Sequence, residues 1–187
     1  MLEWEPWIVR HLYTTLDRRF GPYLSAMKDL LGRAQETQWI STVHDRSIGK
    51  KDDIALALKE SEPGEMVIVD LHGAADEDGA WLGPHCELPF FNLREVPADA
   101  WSATAVVLTN CEGAQDQFEK ELRRINTRPF VLVGHFEVAQ MRDHTPVAVV
   151  NKILHDADGG DEAAAFRAAR AALRDNCQAW AAELYAS

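Results

Sequence analysis

Three runs of almost unbroken apolar residues constrain the fold of this chain more than any other feature of its sequence. The runs are Met66–Leu71, Ala103–Leu108 and Pro129–Val133, and each has the length of a strand rather than that of a helix. A run that is apolar at consecutive positions fits a strand whose two faces are both covered. Because segments with helical periodicity separate the runs, the sequence predicts an α/β fold with a mostly parallel sheet.

The helical segments complete a three-layer sandwich around this sheet. The pattern predicts helices over Asp52–Lys59, Ala114–Ile125 and Thr145–His155. It also predicts a long helix from Asp161 onward, with an apolar face formed by Phe166, Ala169, Leu173, Cys177, Trp180 and Leu184. The β-branched and aromatic segment Trp39–Val43 adds a further strand. Four strands are therefore evident from the sequence.

The first 37 residues have a different pattern. Ile8, Leu12 and Leu16 recur every four residues, Gly21-Pro22 interrupts the spacing, and apolar residues then resume at Leu24. This spacing predicts two short helices over residues 4–32. We expect residues 1–37 to form an N-terminal helical appendage and residues 38–187 to form one domain.

Charge and cysteine content restrict the partners and the location. The chain has 19 basic and 30 acidic residues, a net charge of −11, whereas nucleic acids and anionic membranes are bound by basic surfaces. Three cysteines are too few for a disulfide scaffold. The sequence has no cleavable basic and apolar leader and no apolar run of about 18 residues. We therefore expect a cytoplasmic protein that binds neither nucleic acid nor membrane.

Polar residues with catalytic chemistry follow the apolar runs. His72 and Gly73 come after the first run, and Cys111 and Gly113 come after the second. Functional groups gather at the carboxyl ends of parallel strands, and a nearby imidazole or a helix N-terminus stabilises the thiolate form of a cysteine, which is the nucleophile. The glycines permit close backbone approach, as an oxyanion hole requires.

These residues resemble the caspase-like cysteine peptidases, and the bacterial CHAT-type domain in particular. The segment LHGAADEDGAWLG is similar to the His-Gly segment of that family, with Trp81 in the short strand that follows. The segment LPFFNLREVPADAWSATAVVLTNCEGA resembles the run that leads to the catalytic cysteine. The resemblance covers about Trp39 to Ala182. It implies a caspase-like sheet of six strands, two more than the sequence itself makes evident.

The resemblance also implies roles for individual residues. His72 would be the general acid/base, Cys111 the nucleophile, and the N–H groups of Gly73 and Cys111 the oxyanion hole. Such a dyad hydrolyses peptide bonds without metal or cofactor. A protein or peptide would be the substrate, and an activating or regulatory protein partner and a role in bacterial defence or stress signalling are further expectations. Neighbouring candidates for a substrate pocket are Asp70, Asn110, His135 and Glu137, and Asp70 could instead orient the imidazole or cap a loop.

Two other interpretations stay open at this point. His72, Cys111 and His135 could together bind zinc, because imidazole and thiolate are its preferred ligands. The domain could also be a catalytically silent, caspase-like interaction module. Of the two remaining cysteines, Cys177 is expected in the core and Cys86 in an exposed loop.

Overall fold

A computed structural model of the chain describes residues 5–137, 143–174 and 179–186. This part forms nine strands and five α-helices. The strands are β1 (Trp7–Tyr13), β2 (Ile40–Ser47), β3 (Met66–Asp70), β4 (His72–Asp76), β5 (Gly79–Gly83), β6 (Phe91–Asn92), β7 (Ala105–Leu108), β8 (Phe130–His135) and β9 (Trp180–Tyr185). The helices are α1 (Gly21–Glu36), α2 (Lys51–Lys59), α3 (Asp116–Ile125), α4 (Thr145–Asp156) and α5 (Glu162–Leu173).

The main sheet has six strands in the order β2-β1-β3-β7-β8-β9. All neighbouring strands are parallel except β9, which runs antiparallel to β8. The three apolar runs of the sequence form β3, β7 and β8, which are adjacent and buried along their whole length. The α/β class and the mostly parallel sheet are thereby confirmed.

Helices cover both faces of the sheet. In β3, Met66 and Ile68 pack into the apolar cluster that contains α1, α4 and α5, whereas Val67 and Val69 pack into the cluster that contains α2 and α3. This alternation is the consequence of the two-residue period of a strand. The buried apolar surface on each face gives three layers, as the sequence predicts.

A second, small sheet lies against the α2 and α3 face. Its strands β4, β5 and β6 pair antiparallel in that order. Ala80 and Leu82 of β5 and Phe91 of β6 are buried in the same apolar cluster as α3. Trp81 lies in β5, a short strand, as the resemblance implies. The second sheet therefore fixes the segment that follows His72.

The first of the two short helices predicted over residues 4–32 is wrong. Residues Trp7–Tyr13 form β1, which lies inside the main sheet between β2 and β3. The four-residue spacing of apolar residues is typical of a helix, but it occurs here in a strand whose two faces are both buried. Even the polar Arg10 and His11 of β1 are only 1% and 0% exposed. The segment 1–37 therefore contributes a strand to the sheet, and only its second predicted helix, α1, is present.

The long C-terminal helix is also wrong in its second half. Helix α5 ends at Leu173, and Trp180–Tyr185 form the antiparallel edge strand β9. Cys177, which the sequence places on the apolar face of that helix, lies outside the described residues. With β1 and β9 added to the four predicted strands, the main sheet reaches six.

Within the described ranges, every helix is too short or too polar to cross a bilayer.

Candidate active site

The segments that carry His72 and Cys111 meet at the carboxyl edge of the main sheet. Val69 of β3 pairs in register with Leu108 of β7, and each candidate residue follows three positions after its member of this pair. Gly73 touches the side chain of Asn110, because a Cβ atom at position 73 would lie 2.2 Å from Asn110 Nδ2. The neighbours of His72 and Cys111 in the chain are therefore in direct contact.

The loop that carries Cys111 is held from two sides. The Glu112 N–H donates to the Glu137 carbonyl (2.8 Å), and the Glu112 carboxylate accepts from the Ala75 N–H of β4 (2.9 Å). Glu112 itself has a φ of 60°, in the left-handed region, a conformation that costs a non-glycine residue free energy. The loop is thus fixed between the small sheet and the end of β8.

Cys111 carries a free, half-buried thiol in this loop. Its backbone N–H has no hydrogen-bond acceptor among the described residues, as an oxyanion-hole donor requires in the absence of substrate. The expected position at a helix N-terminus is wrong, because α3 begins at Asp116 and Cys111 lies in a turn before it. The effect of a helix dipole falls off within the first turn of the helix, so the dipole of α3 acts only weakly on the Cys111 sulfur.

His72 is buried, with 8% of its surface exposed. Its ring makes edge contacts with Phe20 and His85, at centroid distances of 5.3 and 6.0 Å. Nε2 lies 3.2 Å from a carboxylate oxygen of Asp17, but the angles are not those of a hydrogen bond, and Nε2 has no hydrogen-bond partner within the described part of the chain. A buried polar atom without a partner is rare in a native structure and points to a functional role.

Burial lowers the pKa of His72 below its ordinary value, and the negative charge of Asp17 opposes this shift without cancelling it. The imidazole is therefore neutral at pH 7 and able to accept a proton. The carboxylate of Asp17 is only 5% exposed. Its hydrogen bonds with the Arg19 guanidinium hold the pKa of Asp17 well below its usual range.

Asp17 is the site residue that the sequence did not reveal. It lies in the loop between β1 and α1, where it accepts a hydrogen bond from the Arg19 N–H. A charged residue just after a strand at the carboxyl edge of the sheet is a recognisable signal. The signal was hidden because β1 has the spacing of a helix.

A second thiol, that of Cys86, lies near His85, whose ring contacts that of His72. His85 and Cys86 follow β5, and the Cys86 Sγ is 4.0 Å from His85 Nδ1. Cys86 is exposed, as the sequence predicts for a loop thiol. Any labelling of cysteines at this site must therefore distinguish Cys111 from Cys86.

The four candidates for a substrate pocket lie at this edge in different environments. Asp70 is fully buried and accepts hydrogen bonds from His11, Tyr23 and Thr109. Asn110 is 2% exposed and donates to the Cys111 carbonyl.

The other two candidates follow β8. His135 is buried, with its ring edge-on to Trp180 and Nδ1 3.1 Å from backbone atoms of Glu137. Glu137 is exposed. The described hydrogen bonds of Asp70 do not include His72, so they give no support to an orienting role for that carboxylate.

The alternative of a zinc site gains no support from the described residues. Over the ranges 5–137, 143–174 and 179–186, no three histidine, cysteine or carboxylate side chains are grouped so that they could hold a metal ion. The proximity of His72 to Asp17 and His85 does not amount to such a group.

Comparison with known protein families and curated proteins does not assign this chain to a family. The chain matches no model of a known protein family, and it matches no curated protein.

Proposed function

We propose that this protein is a caspase-like cysteine endopeptidase in which His72 and Cys111 form a catalytic dyad. The observation that carries the proposal is the contact between Gly73 and Asn110, which joins the two segments next to a buried histidine whose Nε2 lacks a hydrogen bond. The six strands of the main sheet support it further, because six is the number that the resemblance implies.

The proposed reaction is acyl transfer from a peptide to the thiol of Cys111. His72 takes the thiol proton, the thiolate sulfur attacks the carbonyl carbon, and the carbonyl oxygen becomes an oxyanion. The N–H groups of Gly73 and Cys111 would donate to this oxygen. His72 then gives its proton to the leaving amine as the C–N bond breaks. Finally a water molecule, deprotonated by His72, hydrolyses the thioester and restores the thiol.

The environment of His72 suits both halves of this cycle. The lowered pKa keeps the imidazole neutral and ready to accept the thiol proton. Once the proton is transferred, the buried carboxylate of Asp17 is close enough to stabilise the imidazolium by charge. Asp17, and not Asp70 as the sequence suggested, is thus the carboxylate that would stabilise the protonated general base by its charge.

Labelling with peptidyl chloromethyl ketones tests the proposal. The reagents carry a basic, an acidic or an apolar residue next to the reactive group, since the net charge of −11 favours basic substrates only through long-range attraction. Mass spectrometry of the digested protein locates the adduct. We expect it on Cys111, and we expect His72→Ala to abolish it.

The exposed thiol provides the matched control. Cys86→Ser should leave the labelling of Cys111 unchanged. An adduct only on Cys86 or Cys177 would overturn the dyad. Absence of any adduct on Cys111, in a protein whose folding is confirmed by circular dichroism, would favour the silent interaction module.

The wider biological expectations belong to the same proposal. The proposed cytoplasmic location rests on the small number of cysteines. A protein or peptide substrate, an activating protein partner and a role in bacterial defence or stress signalling all derive from the family resemblance. Each depends on the dyad, so the labelling experiment comes first.

A further inference from the structure

A cavity beside the C-terminal half of α5 has an unusual lining for so acidic a protein. Its volume is about 730 Å³, within the range of roughly 300–1,000 Å³ that is common for small-molecule sites. Three arginines, Arg167, Arg170 and Arg174, line it together with the aromatic rings of Phe166 and Trp180. The site is separate from His72 and Cys111, which do not line it.

The sign of the charge in this cavity is opposite to that of the whole molecule. The chain has a net charge of −11, yet the described residues that line the cavity include three arginines and no carboxylate. Two other cavities, beside α3, also have basic side chains, but there Asp116 and one or more glutamates lie among them. A concave site of one charge sign favours a ligand of the opposite sign.

The positions of the arginines on α5 argue against a purely structural role. Residues 167, 170 and 174 are separated by three and four positions, so they share one face of the helix, where like charges repel. The helix dipole stabilises cations in the last turn, which accounts for Arg170 and Arg174 but not for Arg167 one turn earlier. Among the described residues, none of the three forms an ion pair with a carboxylate.

The aromatic wall of the cavity is fixed in place. Trp180 is 5% exposed, and its indole N–H donates to the Asp143 carboxylate at 2.8 Å. Its ring also packs edge-on against His135, at a centroid distance of 5.0 Å. Phe166 packs partly into the apolar cluster shared by α4 and α5. Both rings are thus held in position before any ligand arrives.

We propose that this cavity is a nucleotide-binding site. The phosphate groups contact the guanidinium groups of Arg167, Arg170 and Arg174, which match phosphate oxygens in geometry and charge. The base lies against the ring of Phe166, which is partly exposed, since stacking on aromatic side chains is the common way to hold a base. The concave shape favours a small ligand over an acidic polypeptide. This site does not depend on the peptidase activity.

Isothermal titration calorimetry of the full chain with ATP and with inorganic triphosphate tests the proposal. We expect saturable binding of both, with ATP several-fold tighter because only ATP has a base. Phe166→Leu should reduce the affinity for ATP several-fold and leave that for triphosphate unchanged. Affinity should fall as salt concentration rises, because the guanidinium contacts are screened.

Two double variants that lower the net charge equally separate the effect of the cavity from the effect of net charge. Arg167→Gln/Arg170→Gln should weaken ATP binding at least tenfold. Arg33→Gln/Arg123→Gln removes the same charge from exposed positions on α1 and α3 and should not weaken it by more than about twofold. Thermal unfolding of each variant verifies that it is folded.

Three results would overturn the assignment. The first is no binding of ATP at millimolar concentration. The second is equal affinity for ATP and triphosphate, which would make the site one for phosphate alone. The third is equal weakening of ATP binding by both double variants.

Discussion

At the scale of single residues, Gly73 is where the candidate dyad is most sensitive to one added methyl group. A Cβ atom at this position would lie 2.2 Å from Nδ2 and 2.7 Å from Cγ of Asn110, far inside van der Waals contact. Asn110 cannot yield easily, since it is 2% exposed and hydrogen-bonded to the Cys111 carbonyl. A methyl group at Gly73 is therefore expected to displace the loop that carries Cys111.

We expect Gly73→Ala to slow the labelling of Cys111 at least tenfold and to lower the free energy of unfolding by about 1–3 kcal/mol, as overpacking does. Urea unfolding and mass spectrometry measure the two effects. The matched control is Gly32→Ala in α1, where nothing lies within 4 Å of the new atom. It should stabilise the protein by about 0.5–1 kcal/mol and leave labelling unchanged. Normal labelling of Gly73→Ala would contradict the described contact.

A residue of the candidate site could be predicted from the sequence only where the strand before it could be predicted. His72 and Cys111 stand directly after apolar runs that only a buried strand explains. Asp17 could not be predicted as a site residue because it follows β1, a strand with polar residues in its middle. Its partner in the site, His72, is 55 positions away in the chain, and nothing local to either residue indicates that they meet.

At the scale of elements, β1 shows why part of the sheet could not be predicted. A strand in the middle of a sheet is expected to be apolar throughout, but β1 contains Arg10 and His11, both fully buried. The carboxylate of Glu65, just before β3, accepts hydrogen bonds from Arg10 Nε at 3.0 and 3.2 Å. The hydrogen-bond partner of Arg10 Nε thus lies 55 positions away in the sequence, and periodicity cannot detect such a partner.

Strand β9 could not be predicted from the sequence for a different reason. Its residues Trp180–Tyr185 continue the spacing of the apolar face of α5, although α5 ends at Leu173. Alanine is abundant on both sides of this point and favours a helix. The pairing of β9 with β8, from Phe130↔Tyr185 to His135↔Trp180, overrides that local preference.

The Arg10–Glu65 pair offers a test of the position of β1. Arg10→Met leaves the carboxylate of Glu65, which is 0% exposed, without its guanidinium partner. We expect a loss of about 3–5 kcal/mol in the free energy of unfolding, the usual cost of breaking a buried pair. Arg46→Met, in an exposed pair with Glu60, should cost less than about 1 kcal/mol.

Urea unfolding of both variants measures the difference. The double variant Arg10→Met/Glu65→Leu should recover part of the loss, because it removes the unpaired charge along with its partner. If Arg10→Met cost no more than Arg46→Met, the buried position of β1 in the sheet would be contradicted.

At the scale of the whole molecule, one largely buried network connects strands β1, β2 and β3, helix α1 and the residue that follows β7 beneath the candidate site. His11 of β1 lies 3.1 Å from Asp45 of β2 and 2.6 Å from Asp70 of β3. Asp70 also accepts from Tyr23 of α1 and from Thr109, which follows β7. The ends of β3 and β7 are thus joined two residues before His72 and Cys111.

The network makes stability depend on pH. Burial alone would lower the pKa of His11, but the hydrogen bonds and charges of Asp45 and Asp70 outweigh it and raise the pKa to about 9. A raised pKa in the folded state stabilises the protein below the unfolded value of about 6.5, and the contribution disappears as pH rises through 9. We expect this contribution to be about 3 kcal/mol below pH 6.5.

Urea unfolding across this pH range, for the wild type and for His11→Gln/Asp70→Asn, isolates the effect. The double variant replaces the charged pair by neutral side chains of similar size. Its free energy of unfolding should converge with that of the wild type, or exceed it, as pH rises from about 6.5 to 9. A difference between the two proteins that stays constant over this range would show that His11 is not charged in the folded state.

The cooperation of His72 with Cys111 is tested most directly by the alkylation rate of a single thiol. In a Cys86→Ser/Cys177→Ser background, Cys111 is the only one of the three cysteines left, and its reaction with iodoacetamide at pH 7 needs no knowledge of the substrate. We expect His72→Ala to slow this reaction at least tenfold, whereas His155→Ala, on the exposed end of α4, should leave it unchanged. An alkylation rate of Cys111 that is the same with and without His72 would contradict the dyad.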